Sequence, residues 1–469
     1  MDVPERERTA SVARQEAARL TAEGVRGIAL TWVDNAGLTR VKAIPTTQLA
    51  HAARRGIGMS PVFDVYLVDD SATSSRQTGG PAGDLRLFPD LKRLTELSAQ
   101  PGWAWAPVDR YTQSGAPHPG CQRQFARRQA ERAAARGIEL RMGFETEWTV
   151  TRVGEPAPAR DAGDGRRDAA PGTGRPRYAS EGPAYGMTRV VELSDYLHDV
   201  LTALAAQHID VLQIHPEYSP GQFEVSVAPA SPVGAADLAV LVRETVRAVS
   251  VRHGLTASFG PVVEAGTVGN GAHLHLSLWE GGRNLCRGGS GPSGMTAECE
   301  AFLAGVLREL PALLAVGVPS PAGYLRLRPS RWAGAFRCWG VENREAALRF
   351  IPGAADDDLA ANAEVKCFDG AANPYLVVGA VTAAGLAGLA EGLTLPPPVA
   401  GDPAVTGEDA ARLPSSLPEA LEHFERSELL REAMGGQLFE AVAAVRRAEA
   451  ELFDGLAPQA VADATRDRY

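Results

Sequence analysis

Two glutamates stand two residues apart inside an apolar run, Gly143-Phe144-Glu145-Thr146-Glu147-Trp148, and this pair constrains the chain more than any other feature. The alternation of a β-strand puts both carboxylates on one face, roughly 6 to 7 Å apart at Cα. A core strand does not accept two uncompensated anions side by side, because desolvation and mutual repulsion both oppose it. Either something positive sits between them, or the strand has a solvent face that carries both. Three other segments bear similar groups. His215-Pro216-Glu217-Tyr218-Ser219-Pro220-Gly221-Gln222-Phe223-Glu224 sets Glu217 and Glu224 on strand-like flanks of a Pro-Gly turn, which taken alone is also an ordinary hairpin with polar edges. In Gly269-Asn270-Gly271-Ala272-His273-Leu274-His275-Leu276-Ser277-Leu278, residues His273, His275 and Ser277 share one strand face, and such a face can simply be polar. Glu364 lies in an apolar strand just before the turn Asp369-Gly370. Together these segments supply five glutamates and at least one histidine on separate strands, a set that favours Mg²⁺ or Mn²⁺ over zinc. Five carboxylates against two divalent ions leave a small negative excess, which suits a cationic or amine substrate. Anionic co-substrates then call for arginines, and Arg326, Arg344 and Arg349 are the candidates, with plain surface arginines as the alternative.

The rest of the chain predicts two units. A helix over residues 4 to 22, strands at Gly27–Val33 and Thr39–Ile44 around the turn Asp34-Asn35-Ala36-Gly37, and a helix ending near Gly56 make a small α+β domain over residues 1–115. Residues 116–469 form a larger domain, with helices at Arg123–Arg136, Leu193–Gln207 and Ala235–His253, strands at Ile138–Val150 and Val268–Trp279, and helical runs at Pro418–Met434 and Gln437–Phe453. Residues 153–186 lose apolar periodicity to Gly, Pro, Ala, Asp and Arg and predict an exposed insertion. Leu376–Ala390 is nearly uncharged but too short to span a bilayer, so a buried helix is expected rather than a membrane span. The charged start Met1–Glu7 has no apolar segment of signal-peptide type, and a cytoplasmic location is expected. With 47 Lys+Arg against 57 Asp+Glu, the net charge of −10 argues against a nucleic-acid partner. The five cysteines are widely spaced and form no C-x-x-C pair, so free buried thiols are expected.

In order and spacing, these segments resemble glutamine synthetase of the class I bacterial type over nearly the whole chain. The matching motifs are "G-x-E-x-E-[FW]" at Gly143, "E-x-x-x-G-Q-x-E" at Glu217, "G-x-G-x-H-x-H-x-S-L" at Gly269, "N-R-x-A-x-x-R" at Asn343 and "N-x-E-[VL]-[RK]…D-x-x-A-N-P-Y-L" at Asn362. The resemblance implies an α+β fold in which an N-terminal β-grasp domain, carrying Asp84-Leu85-Arg86-Leu87-Phe88-Pro89-Asp90, precedes a catalytic domain with a mostly antiparallel sheet flanked by helices. It further implies that Glu147, Glu217 and Glu224 hold one divalent ion, and that Glu145, His273 and Glu364 hold a second beside the ATP phosphates. His275, Ser277 and Arg349 would face ATP, Arg344 the transferred phosphoryl group, and Arg326 with Gly269 and Lys366 the acid substrate. Asp64 resembles an ammonium-handling Asp. Sites in the family lie between subunits of stacked rings, typically a dodecamer.

Departures from the family pattern point away from ammonia as the substrate. The family flap reads "R-L-x-P-G-Y-E-A-P", whereas Arg326-Leu327-Arg328-Pro329-Ser330-Arg331-Trp332-Ala333-Gly334 puts Trp332 at the Glu position. An indole cannot accept a proton, but it packs on an alkyl amine or offers its π face to an ammonium. Lys366 replaces a bidentate Arg, and Val268 replaces an Asn. The resemblance then implies an ATP-dependent ligase that joins the γ-carboxylate of glutamate to a small organic amine. Arg328 and Arg331 on the flap favour a monoamine such as ethanolamine over a polyamine. An ammonia-using glutamine synthetase is the nearer alternative, and a catalytically silent regulator or structural ring is the farther one.

Overall fold

The computed structural model describes residues 3–80, 82–153, 176–354, 356–357, 359–406 and 410–469. Its first sheet has the strand order Thr39–Pro45, Gly27–Val33, Trp103–Tyr111, Leu85–Pro89, Ile57–Met59, with Thr95–Glu96 also on Trp103–Tyr111. Gly27–Val33 runs parallel to Trp103–Tyr111 and every other pairing is antiparallel. The expected hairpin forms: Asp34 Oδ1 accepts from the Leu38 amide at 2.9 Å across the turn. Helices Val3–Ala22 and Leu49–Arg55 cover this sheet over a core of Leu20, Ile28, Leu30, Leu49, Leu87 and Val108.

The second sheet has nine strands, seven in the order Phe336–Val341, Ala346–Ile351, Asn362–Val365, Leu274–Glu280, Glu139–Arg152, Gln222–Val227, Val211–Pro216, with Leu255–Ser258 pairing on Glu139–Arg152 and Arg283–Asn284 on Leu274–Glu280. Only Phe336–Val341 and Ala346–Ile351 run parallel. Its centre is the 14-residue strand Glu139–Arg152, which pairs with Leu274–Glu280 through its first half and with Gln222–Val227 through its second. Helices Gln122–Ala134, Pro232–Arg252, Ala297–Gly317 and Pro374–Glu391 supply the core behind it. Pro374–Glu391 is apolar all round because it is buried nearly all round, the condition of a core helix.

Several expected elements change. Regular strand geometry begins at Leu274 rather than Val268: Gly271 O and His273 O still accept from the Glu147 and Glu145 amides of the central strand, but the segment also bonds loops, as in Asn270 N to Pro261 O at 2.9 Å. The run expected over Pro418–Met434 breaks into Leu417–Arg426 and Glu428–Met434, because the Ser427 side chain accepts the Leu430 amide and starts a new helix. Residues 154–175 of the expected insertion lie outside the described residues. Of its described part, Tyr178, Ala179 and Ser180 are buried, with Arg152 N and Ala179 N bonding across to Arg177 O and Val150 O, while Glu181, Pro183, Ala184 and Tyr185 are exposed as expected. All five cysteines are buried thiols outside any disulfide, as expected.

Candidate active site

Sheet register builds the site. Glu147 stands opposite Glu224, and Glu224 opposite His215, forming one row across three strands. Gly143, on the same strand as Glu147, stands opposite His275, His275 opposite Glu364, and Glu364 opposite Arg349, forming a second row that runs to the other side of that strand. His273 bridges the rows, with Nδ1 3.0 Å from Glu145 Oε2 and 3.2 Å from Glu364 Oε1, and Nε2 3.6 Å from Glu147 Oε1. Gly271 keeps that junction open, since a Cβ there would run into His273, Arg326 and Glu147.

Two groups have ligand atoms within 4.8 Å of one another: Glu145, His275 and Glu364, and His215, Glu217 and Glu224. In the first, charge is already balanced. Burial pushes Glu145 up, but hydrogen bonds from His273 and His275 outweigh it and hold the carboxyl below its usual range. Burial also pushes Glu364 up, while Lys366 and His273 pull it well below. Lys366 Nζ donates to Glu364 Oε1 at 2.9 Å and Arg349 Nη1 to Oε2 at 3.2 Å. Burial and Lys366 pull His273 down, yet Glu145 and Glu364 carry it up to about 9.

The second group is short of cations. Burial and then the Glu147 charge push Glu217 up to about 7, and burial also raises Glu224, helped by Glu145 and Glu147. His215 is raised to about 9 by its hydrogen bond with Glu224. Carboxylates that raise one another's pKa are relieved by a divalent cation, so Glu217, Glu224 and His215 with neighbouring Glu147 fit one. The Glu145, His275, Glu364 group has suitable donors as well, with Lys366 and Arg349 as competitors.

Both groups serve one cavity of about 790 Å³, with Glu364 buried behind its lining. The walls include Gly269, Arg326, Trp332, Arg344, Arg349 and Lys366, all expected from sequence. Arg326 reaches in behind His273, its Nη2 3.0 Å from His273 Nε2. Two expected residues are elsewhere. Ser277 Oγ accepts from Trp279 Nε1 at 2.8 Å, and Ser277 does not line the cavity. Asp64 is 1 % exposed and pairs with Arg110 and, at 3.0 Å, with His118 Nε2, so its carboxylate is spent inside the fold. The sequence reading left His215, Gln222 and Tyr185 without roles. Gln222 Nε2 donates to Glu147 Oε2 at 2.7 Å, and Tyr185 Oη to Glu217 Oε2 at 2.8 Å. His215 was detectable, standing two residues before Glu217 in the same carboxylate-bearing segment; Tyr185 is remote in sequence and carries no pattern.

The profile of the glutamine synthetase catalytic domain matches residues 119–466. The γ-glutamylpolyamine synthetase GlnA3 of Streptomyces coelicolor is 55% identical over 458 residues, covering 96% of this chain and 95% of that protein. The glutamate–methylamine ligase of Methyloversatilis universalis is 29% identical, with 88% and 89% of the two chains covered. A crystal structure described as a novel glutamine synthase homolog superposes with a TM-score of 0.83 at 30% identity, over 95% of this chain and 99% of that one. A domain profile across most of the chain and a relative so similar over its full length establish that this chain belongs to the glutamine synthetase family of ATP-dependent carbon–nitrogen ligases.

Proposed function

We propose that this ligase joins the γ-carboxylate of glutamate to a polyamine at the expense of ATP, with two divalent ions at the site. The observation that carries this reading is the meeting of two carboxylate-rich groups and six cationic side chains, Arg326, Arg328, Arg331, Arg344, Arg349 and Lys366, around one cavity lined by Trp332 where the family flap has an acid. A carboxylate gives no amide directly, because oxide is a poor leaving group. The γ-oxygen therefore attacks the γ-phosphorus of ATP and ADP departs; the amine nitrogen then attacks the acyl carbon, the C–O bond to phosphate breaks, and the nitrogen loses a proton. Divalent cations, when bound, offset the charge of the phosphoryl transfer. Glu147, Glu217 and Glu224, with His215, would hold one, and Glu145, His273 and Glu364, with His275, the other. Arg344 would meet the transferred phosphoryl group, Arg349 the nucleotide, and Arg326, Lys366 and Gly269 the acid substrate. Asp64 is assigned to the fold.

The polyamine is preferred to ammonia or a monoamine because the 55% identical relative is named for polyamines. An ethanolamine-like monoamine remains the second reading, favoured by Arg328 and Arg331 in the lining. Ammonia is disfavoured by Trp332, which offers no proton acceptor. Homo-oligomeric rings, a dodecamer by resemblance, complete the proposal, together with a domain division at residues 115/116. Phosphate release with ATP, Mg²⁺, glutamate and a panel of spermidine, putrescine, ethanolamine and ammonia tests it; the highest kcat/KM is expected for a polyamine, and preference for ammonia would refute it.

A further inference from the structure

The cavity has two unlike rims. Arg328 and Arg331 line it on the segment that carries Trp332, whereas Tyr185 and Tyr218 line it on the side of Glu217. Among the described residues four aromatic side chains are exposed, namely Trp103, Tyr185, Tyr218 and Trp332, and three of them belong to this one opening. Apolar rings left to solvent around one mouth call for a partner there. Tyr218, 53 % exposed, is displayed by a backbone that is pinned in place. Its amide donates to Glu217 Oε2 at 3.1 Å, and the buried Arg189 donates to the carbonyls on either side of it, Glu217 O at 2.7 Å and Ser219 O at 2.6 Å. Trp332 is held in a left-handed conformation, φ 56°, by donation of its amide to Glu345 Oε1 at 2.6 Å. Bulky residues adopt that conformation only where surrounding structure enforces it.

We propose that Tyr218 determines selectivity for polyamines by presenting its ring to the distal ammonium group, while Trp332 packs on the methylenes between the two nitrogens. This inference rests on the amine-ligase reading above and adds to it the residue that measures the substrate's far end. The reactive nitrogen is drawn to the carboxylates. All the acids lining the cavity, Glu145, Glu147, Glu217 and Glu224, belong to the inner groups, so a second ammonium farther out meets π faces rather than carboxylates. Arg328 and Arg331 repel it from the flap side, which leaves the Tyr218 side to receive it.

The test compares spermidine with butylamine, which has an alkyl stem but no distal charge, as substrates of the parent enzyme and of Tyr218→Ala, Tyr218→Leu and Tyr218→Phe. Tyr218→Ala and Tyr218→Leu are expected to lower kcat/KM for spermidine about tenfold more than for butylamine, the loss falling mainly on KM. Tyr218→Phe, which keeps a π face and loses only the hydroxyl, is expected to restore the parent ratio. Equal losses for the two amines, or no loss, would overturn the role of Tyr218 while leaving the ligase reading intact. A parent enzyme that turned over no polyamine would instead overturn that reading and this inference together.

Discussion

Asp64 keeps its negative charge inside the protein only because Arg110 and His118 face it. Burial pushes its carboxyl up, and the Arg110 charge and the His118 hydrogen bond outweigh this and hold it below the usual range. A carboxylate lowered on folding contributes stability above its unfolded pKa, about 3.9, and that contribution is lost as pH falls through the folded value. Asp64→Asn also leaves the buried Arg110 without its counter-charge. The expected cost is about 3–5 kcal/mol at pH 7, read from urea unfolding, with the gap to the parent protein narrowing below pH 4. The inner carboxylates behave differently, since they balance a function rather than the fold. Glu147→Ala and His273→Ala should each lower phosphate release more than about 100-fold, because removing a ligand costs more than the 10–100-fold seen for its supporting partners. Assembly, measured by size-exclusion chromatography, should be kept; normal turnover in either variant would refute the metal assignment.

Between residue and molecule stand the elements, and here close packing sets the limits. Helices Ala297–Gly317 and Pro374–Glu391 touch backbone to backbone where Gly305 meets Gly388. A Cβ on Gly388 would come 2.7 Å from the Gly305 Cα and closer still to the Ala301 carbonyl. Neither helix can yield without disturbing the core it fills, so Gly388→Ala is expected to cost about 1–3 kcal/mol despite its better helix propensity, checked by thermal unfolding. Element scale also explains how far the site could be read from sequence. Period-two alternation is local, so Glu145 with Glu147 and His273 with His275 declared their shared face before any pairing was known. Register across strands is not local, and it decides that His215 completes the Glu224 row. Whether a side chain finds the cavity is still less local: Ser277 keeps the strand parity of His275 but bonds Trp279 instead, and Asp64 sits in a recognisable segment while turning into a buried ion pair.

Across the whole molecule, one helix near the chain's end ties the two sheets together. On Gly436–Leu452, Arg446 donates to Ala315 O at 2.6 Å and to Asn35 O at 2.7 Å, joining the Ala297–Gly317 helix to the hairpin turn of the first sheet. One turn farther on, Glu449 Oε1 accepts the Val68 amide at 3.0 Å, while its Oε2 is buried without a partner. Burial raises the Glu449 carboxyl to about 8, with Asp34 and Asp69 adding to the rise and Arg446 and the Val68 amide opposing it. The folded chain thus holds a proton that the unfolded chain releases near pH 4.3, and between those values the folded state binds more protons. Stability from this group is complete below about pH 4 and declines as pH rises to about 8. Glu449→Gln mimics the protonated form at every pH and removes the decline. Urea unfolding at pH 5 and pH 8 is therefore expected to show the variant gaining on the parent protein as pH increases. A constant difference between the two would mean that Glu449 is ionised in the fold, and that Arg446 holds the junction as half of a buried ion pair.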